Sequence, residues 1–288
     1  KISNEKKIIN TNINGYIEGY YGRLLDWENR KLIIKSLSKN NMNTYFYAPK
    51  EDENHRLNWR KKYTSKWRRS FRDFTKFSKE NNINIIAGIA PGLDFNFKKF
   101  NNSSNQIKNS DLNLLLNKAK QLLEDGAKSI ALLLDDIPDE FEKKFGKNVS
   151  EGTSHGILTN KISEELKQNI YFVPRIYADE LIKDSPNYLS DLSKILNQDI
   201  RVFYCGKNVV CKTITKYSKI KKILCNKIIY WDNYYANDYC PRRFFIGPFI
   251  GRTNLNNLMI NATGLIKTDL LILDIITNTN NKRNPIKA

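Results

Sequence analysis

Two adjacent carboxylates, Asp135 and Asp136, follow an apolar run and are the side chains of this 288-residue chain best placed to do chemistry. The run at 129–134 has the composition of a buried strand. Glycoside hydrolysis uses paired carboxylates, because one protonates the leaving oxygen while a second group stabilises the cationic centre. The pair alone leaves two other readings open. One is a helix cap at a solvated strand end, and the other is a magnesium site, although no glycine-rich phosphate loop accompanies the pair.

A second candidate site is the aromatic and polar segment WDNYYANDY at 231–239. Aromatic rings pack on the apolar face of a sugar, and fixed amide and carboxylate groups exchange hydrogen bonds with its hydroxyls. The segment therefore predicts a sugar site. The alternative is an ordinary loop rich in Asp and Asn.

A third segment, WRKKYTSKWRRSFR at 59–72, mixes basic and aromatic residues as single-strand nucleic-acid sites do. The 48 Lys and Arg against 30 Asp and Glu give a net charge of +18, which also suggests an anionic partner. Much of this charge is explained by a composition rich in Lys, Asn and Ile, the residues that AT-rich codons supply. The spacing of Trp67, Phe71 and Phe74 is typical of the buried face of a surface helix. We therefore expect a helix here and no nucleic-acid partner.

The chain that must position these residues alternates short β-branched runs with longer segments of helical period. The predicted strands are 15–18, 44–47, 83–89, 129–134, 170–173, 200–204, 227–231 and 244–246. The predicted helices are 27–39, 66–81, 111–124, 154–168, 188–197, 213–223 and 258–276, with Asp26 and Thr153 as N-caps. Eight strands in a chain near the roughly 250 residues typical of a (β/α)8 TIM barrel favour that single-domain α/β fold. No GxGxxG follows the first strand, which argues against an open dinucleotide-binding sheet.

The ends of the chain are polar, and we place a lead-in at 1–14, the barrel at 15–279 and a tail at 280–288. No apolar run approaches the roughly 20 residues that span a bilayer, so we expect a soluble protein without a membrane span. The first residues contain no signal-peptide apolar region, but the chain begins with Lys rather than Met, which leaves processing and compartment open. Four Cys without CxxC spacing and two His predict no metal site. We expect no cofactor, and homo-oligomerisation stays open.

Six segments resemble, in this order along the chain, motifs of the O-GlcNAcase catalytic domain, glycoside hydrolase family 84. They are GYIEGYYGR at 15–23, NTYFYAPK at 43–50, APGLD at 90–94, ALLLDD at 131–136, WDNYYANDY at 231–239 and FIGPFIGR at 245–252. The family fold is a (β/α)8 barrel, in agreement with the strand count. The resemblance implies a retaining β-N-acetylglucosaminidase that acts on GlcNAc-bearing proteins or glycans.

The reaction implied by the resemblance is substrate-assisted. The 2-acetamido oxygen of the sugar attacks the anomeric carbon to give an oxazoline, so no carboxylate nucleophile is needed. Asp135 would orient the acetamido N–H and stabilise the developing charge. Asp136 would be the general acid and then the general base, which requires it to be protonated at first while Asp135 is ionised.

The resemblance also implies the residues that bind the sugar. The backbone of Gly19 and the side chain of Lys50 would hold the 3-hydroxyl region. Asn233 would support the Asp pair, and Asp238 would bind the 4- and 6-hydroxyls.

Three further residues complete the implied pocket. Tyr177 corresponds to the family's pocket tyrosine, Trp231 would line the acetamido methyl pocket, and Asn261 would be the last sugar-binding Asn. The sequence departs from the family at Ala262, where Pro is common, and at 204–206, where Tyr-Cys-Gly replaces Trp-Thr-Gly. The second departure concerns the pocket wall rather than the chemistry.

Two readings from other classes stay open beside the enzyme. One is a basic module that binds GlcNAc-containing or anionic polymers, including nucleic acid, through the 59–72 segment. The other is a barrel that binds GlcNAc without hydrolysis. The intact Asp135 and Asp136 pair argues against the latter.

Overall fold

Eight parallel strands form a closed barrel in a computed structural model that describes residues 12–99, 110–214, 219–252 and 255–280. Each strand pairs with its neighbours in chain order, and the first pairs with the last, from Asn14 opposite Leu258 to Ile17 opposite Asn261. The predicted (β/α)8 fold is confirmed. The strands are β1 (Asn14–Glu18), β2 (Thr44–Tyr47), β3 (Asn84–Ile89), β4 (Ser129–Leu133), β5 (Tyr171–Val173), β6 (Arg201–Tyr204), β7 (Ile228–Asp232) and β8 (Leu258–Asn261).

Helices connect most of the strands and form the outer layer. They are α1 (Trp27–Lys39), α2 (Ser65–Glu80), α3 (Ser110–Glu124), α4 (Phe141–Phe145), α5 (Glu151–Leu166), α6 (Tyr188–Ile195), α7 (Ile220–Ile223) and α8 (Ile266–Asn280). Two 3₁₀ turns lie at Phe97–Lys99 and Asp179–Asp184. Within the described ranges, no helix is long and apolar enough to cross a membrane.

The hydrophobic core has two layers because successive side chains of a strand point to opposite faces. Phe46 of β2 belongs to the inner cluster, where its ring lies 5.0 Å from that of Phe203. Its neighbour Tyr45 belongs to the outer cluster, and its ring lies 5.3 Å from that of Phe74 in α2. This alternation decides which residues beyond the strand ends point into the barrel.

The eighth strand is where the prediction was wrong. Residues 244–246 form no strand, and the side chains of Phe244 and Ile246 are 55% and 42% exposed. The strand is instead Leu258–Asn261, which was predicted as the start of the last helix, and α8 begins only at Ile266. Both runs are apolar, but only the second pairs with β7 and β1 and so closes the barrel.

The short helix α4 was not predicted, and several strands and helices begin or end at other residues than predicted. Asp26 caps α1 as predicted, since its carboxylate accepts a hydrogen bond of 2.7 Å from the backbone N–H of Asn29. Ser150, and not Thr153, caps α5, because its hydroxyl accepts from the N–H of Thr153 at 3.2 Å. Of the helix predicted at 213–223, only Ile220–Ile223 is observed, and 215–218 lie outside the described residues.

The 59–72 segment is part of the core and leads into α2, as the apolar spacing predicts. Trp59 and Tyr63 are buried, and the ring of Tyr63 stacks on that of Trp67 at 3.5 Å. Arg60 forms ion pairs with Asp94 and Asp111. These aromatic rings thus belong to the packing between α2 and the barrel, as the apolar spacing predicts.

Candidate active site

A cavity of about 620 Å³ lies at the carboxyl ends of the strands. This is the end of a (β/α)8 barrel where the βα loops build active sites. The structure brings all nine residues predicted for the site together in its lining: Gly19, Lys50, Asp135, Asp136, Tyr177, Trp231, Asn233, Asp238 and Asn261.

Strand alternation explains why two of the polar groups face the cavity. Leu133 of β4 and Trp231 of β7 are both members of the inner cluster. Asp135 and Asn233 each lie two positions further along, so the period of two points them to the same side. The strands thus deliver polar side chains to a layer directly above the apolar interior.

Lys50 joins the two carboxylates. Its Nζ donates a hydrogen bond of 2.7 Å to Oδ2 of Asp135 and lies 3.5 Å from Oδ2 of Asp136. Asp135 is buried, whereas the side chain of Asp136 is 30% exposed. The backbone of Asp136 adopts a φ of 51°, a left-handed conformation that costs a non-glycine residue on the order of 1 kcal/mol. Such local strain is typical of functional sites.

Two tyrosines hold the carboxylate of Asp136. The hydroxyl of Tyr177 donates to Oδ1 at 2.7 Å, and that of Tyr21 donates to Oδ2 at 3.0 Å. Tyr21 in turn accepts a hydrogen bond of 2.8 Å from Nη1 of Arg56. Tyr21 belongs to the 15–23 motif but was not predicted as a site residue, and nothing in the sequence signalled Arg56.

The protein's own groups shift the proton affinities of the pair in opposite directions. Burial raises the pKa of Asp135, against the opposing effect of the Lys50 ammonium. Burial also acts to raise the pKa of Asp136, but Lys50 and the hydrogen bonds from Tyr177 and Tyr21 outweigh it and hold this pKa below its usual range. Burial lowers the pKa of Lys50, but the two carboxylates outweigh burial, so the net shift is upward and Lys50 stays charged.

A network of hydrogen bonds around the side-chain amide of Asn233 fixes the part of the cavity wall that contains Trp231, Asn233 and Asn261. Oδ1 of Asn233 accepts from Nε1 of Trp231 and from Nδ2 of Asn261, both at 2.9 Å. Its Nδ2 donates to the carbonyl of Val209 at 2.9 Å, which ties the loop after β6 to the site. The amide orientation of Asn233 follows from these partners. Oδ1 of Asn261 is buried and has no hydrogen-bond partner among the described residues.

The loop after β1 forms another part of the cavity wall, through Gly19 and Tyr21. A Cβ added to Gly19 would lie 2.5 Å from Cζ2 of Trp231, so only glycine lets the chain pass this close to the ring. Oδ2 of Asp238 accepts from the backbone N–H of Tyr21 at 2.9 Å. This bond joins the loops after β1 and β7 across the mouth of the cavity.

Comparison with known proteins identifies the family. The sequence model described as NAGidase, beta-N-acetylglucosaminidase, matches residues 14–267. The chain belongs to this beta-N-acetylglucosaminidase family. It is 34% identical over 249 residues to the protein O-GlcNAcases of Rattus norvegicus and Mus musculus, an alignment that covers 83% of this chain and 26% of each relative. The chain thus spans about a quarter of the length of these mammalian relatives.

A solved structure supports the same assignment. A mutant O-GlcNAc hydrolase of Thermobaculum terrenum superposes on this member of the beta-N-acetylglucosaminidase family with a TM-score of 0.82 at 26% identity. The match covers 96% of this chain and 61% of that chain. The fold and the family therefore agree with the resemblance carried by the six motifs.

Two of the departures from the family motifs, Tyr204 and Cys205, lie in the cavity wall. Cys205 is buried there, and its Sγ lies 3.6 Å from Nδ2 of Asn233. Tyr204 also lines the cavity, and its hydroxyl donates to Asp179 at 2.9 Å. Ala262 directly follows Asn261 and is buried. In this beta-N-acetylglucosaminidase family member Tyr204 and Cys205 thus alter the wall, Ala262 does not line the cavity, and the carboxylate pair is intact.

Proposed function

We propose that this chain is the catalytic part of a retaining β-N-acetylglucosaminidase that removes terminal β-linked GlcNAc from proteins or glycans. One observation carries the proposal. Oδ2 of Asp135 is held by Lys50, while its Oδ1 is buried and has no hydrogen-bond partner among the described residues. A buried acceptor of this kind is costly unless a ligand donor reaches it, and the N–H of a 2-acetamido group is such a donor.

The first half of the reaction forms the oxazoline. The acetamido oxygen attacks the anomeric carbon as the bond from that carbon to the leaving oxygen breaks, and Asp136 transfers its proton to the leaving oxygen. The acetamido nitrogen becomes positively charged as its carbonyl attacks. The Asp135 carboxylate, which accepts its N–H, stabilises that charge.

The second half returns the enzyme to its starting state. The Asp136 carboxylate removes a proton from water, whose oxygen forms a bond to the anomeric carbon while the oxazoline ring opens. The sugar leaves with the β configuration it had in the substrate, because the anomeric carbon has been inverted twice. Asp136 again carries the proton that the next cycle requires.

Substrate binding must determine which of the two carboxylates, Asp135 or Asp136, carries the proton when the oxazoline forms. The protein's own groups favour the proton on Asp135 rather than Asp136. An acetamido N–H that donates to Oδ1 of Asp135 stabilises its ionised form and lowers that pKa. A sugar that covers the partly exposed Asp136 removes it from water and raises its pKa. Binding thus reverses the order and restricts acid catalysis to the loaded site.

The remaining residues fit one pyranose. Asp238 lies at the side of the cavity where Gly19 and Tyr21 enter, and it would bind the 4- and 6-hydroxyls. The side chain of Lys50 and the backbone of Gly19 would hold the 3-hydroxyl region. Trp231 would pack against the acetamido methyl group, with Asn233 fixing its ring.

A hydrolysis assay tests the proposal directly. Release of 4-methylumbelliferone from its β-GlcNAc conjugate is measured for the wild type, for Asp136→Asn, and for Asp73→Asn, whose carboxylate lies on the exposed surface of α2. We expect turnover in the wild type and in Asp73→Asn, loss of turnover in Asp136→Asn, and inhibition by a thiazoline analogue of the oxazoline. Absence of turnover in folded wild-type protein would refute the proposal and favour GlcNAc binding without hydrolysis.

A second assay with the wild-type protein distinguishes GlcNAc-bearing proteins from glycans as substrates. A peptide that carries a single O-linked β-GlcNAc is compared with a chito-oligosaccharide at equal concentration. We expect cleavage of the peptide, in line with the protein O-GlcNAcases of similar sequence. Cleavage of the oligosaccharide alone would assign the chain to glycans.

A further inference from the structure

One guanidinium contacts both the backbone and the hydrogen-bond partner of the candidate general acid. Nη2 of Arg56 donates to the carbonyl oxygen of Asp136 at 2.7 Å, and Nη1 donates to the hydroxyl of Tyr21 at 2.8 Å. The hydroxyl of Tyr21 in turn donates a hydrogen bond of 3.0 Å to Oδ2 of Asp136. Arg56 does not itself line the cavity. It therefore makes no contact with the cavity itself, and its hydrogen bonds reach the Asp136 carboxylate through Tyr21.

The segment that carries Arg56 is anchored in the barrel. His55 is fully buried, its Nδ1 lies 2.9 Å from the carbonyl oxygen of Gly88 in β3, and its own carbonyl accepts from the N–H of Ala90 at 2.9 Å. Asp52 is also buried and accepts from the hydroxyl of Tyr47 at 2.6 Å. The backbone that carries the Arg56 guanidinium is therefore held rigidly in place.

Arg56 contacts the residue of the site whose backbone is strained. Asp136 has a φ of 51°, and its carbonyl is the group that Arg56 holds. Strained conformations persist where the surrounding structure fixes them. The planar fork of arginine holds two acceptors in a fixed geometry, which the single ammonium group on the flexible stem of lysine does not reproduce.

We propose that Arg56 is a positioning residue of the hydrolytic site, which fixes the backbone of Asp136 directly and its carboxylate through Tyr21. The proposal rests on the proposed function, because it assigns a role in acid and base catalysis by Asp136. It predicts that loss of Arg56 impairs proton transfer to the leaving group and leaves the sugar pocket intact.

The charge of Arg56 adds a second, separable effect. Among the described residues, the charged and titratable groups that interact with the Asp136 carboxylate include Lys50, Arg56, Tyr21, Tyr177, Asp135 and Cys205. Removing one cation from this set raises the proton affinity of Asp136. Since the general acid acts in its protonated form in the loaded site, the basic limb of the pH profile of kcat, which reports on the substrate complex, then moves to higher pH.

Three variants separate geometry from charge. Arg56→Met removes both, Arg56→Lys keeps the charge without the fork, and Arg69→Met removes an exposed arginine of α2 as a matched control. For each, kcat and kcat/KM are measured on 4-nitrophenyl β-GlcNAc, whose leaving group needs little protonation, and on methyl β-GlcNAc, whose leaving group needs full protonation. Thermal unfolding and the Ki of the thiazoline analogue report on the fold and the pocket.

We expect Arg56→Met to lose roughly 10-fold to 100-fold on the methyl glycoside, below the roughly 100-fold to 10,000-fold that general acid–base catalysis contributes. The loss on the 4-nitrophenyl glycoside should be much smaller, and the thiazoline Ki should match that of the wild type. Arg56→Lys should keep the wild-type basic limb but not the rate on the methyl glycoside. Arg69→Met should behave as the wild type.

Two results would overturn the inference while the wild type is active. One is equal losses on both glycosides together with weaker thiazoline binding, which would make Arg56 a structural support of the pocket. The other is wild-type rates in Arg56→Met. Inactive wild-type protein would instead refute the proposed function itself, so the two failures are distinguishable.

Discussion

Nζ of Lys50 donates a hydrogen bond of 2.7 Å to Oδ2 of Asp135, and both side chains are almost completely withdrawn from solvent. A buried ion pair of this kind is costly to break, because removal of one partner leaves the other charge without compensation. The pair also fixes which oxygen of Asp135 remains for a ligand. Stability and function are therefore linked at this position.

Lys50→Met should destabilise the protein by about 3 kcal/mol at neutral pH, in the range measured for broken buried pairs. Without the ammonium, the folded-state pKa of Asp135 rises further above that of the unfolded chain, so the folded state favours the protonated acid. The stability deficit should therefore shrink as pH falls through this folded-state pKa. Urea unfolding at several pH values measures the effect, with Lys62→Met as an exposed control. A deficit that does not change with pH would contradict the assignment.

Asp135→Asn should slow oxazoline formation by roughly 100-fold to 1,000-fold, the effect of losing one preorganised electrostatic group. The loss should be similar for good and poor leaving groups, because Asp135 acts on the acetamido group and not on the leaving oxygen. The two glycosides used for Arg56 measure this. A loss confined to the poor leaving group would assign Asp135 to proton transfer instead.

Tyr177→Phe removes the hydrogen bond of 2.7 Å to Oδ1 of Asp136. This bond favours the ionised carboxylate, so its loss should raise the pKa of Asp136. The basic limb of the profile of kcat against pH, which reports on the substrate complex, should then move to higher pH. Tyr239→Phe, which alters an exposed tyrosine at the cavity edge, serves as the comparison. A shift to lower pH would show that Tyr177 does not act on the ionised form.

Gly19→Ala places a methyl group 2.5 Å from the ring of Trp231, so the ring or the loop must move. Overpacking of this kind costs roughly 1–3 kcal/mol. We expect a raised KM together with a lower melting temperature. Gly22 has a φ of 76°, and no described atom lies within 4 Å of the place that a Cβ would take. Alanine there should cost only the backbone strain, on the order of 1 kcal/mol, with KM unchanged. Equal KM values in the two variants would remove the steric argument.

Acid should destabilise the protein partly through its two buried histidines. Burial lowers the pKa of His155 to about 3 and that of His55 to about 4, from an ordinary value of 6.5. Each binds a proton in the unfolded chain before it does so in the folded one, so stability falls as pH drops below 6.5, by about 1.4 kcal/mol per pH unit for each histidine. His155→Gln should reduce this slope between pH 6 and 4 in urea titrations. An unchanged slope would show that other groups control acid unfolding.

The fold was predictable because strand and helix periods differ locally. The short aromatic run of β2 and the apolar run of β4 identify those strands without any tertiary information. The failure at the eighth strand has a physical cause. The segments 244–246 and 258–261 are both short and apolar, and only pairing with β1 and β7, at opposite ends of the chain, decides which one closes the barrel.

The candidate site was likewise predictable from the sequence only in part. The sequence by itself determined which residue types stand after each strand, and strand alternation then directs Asp135 and Asn233 inward. Tertiary structure alone decided that Arg56 reaches Asp136 through Tyr21, because these three residues come from three different loops. It also decided the proton affinities of the two carboxylates, because burial and the distance to Lys50 are properties of the packed molecule and not of any segment.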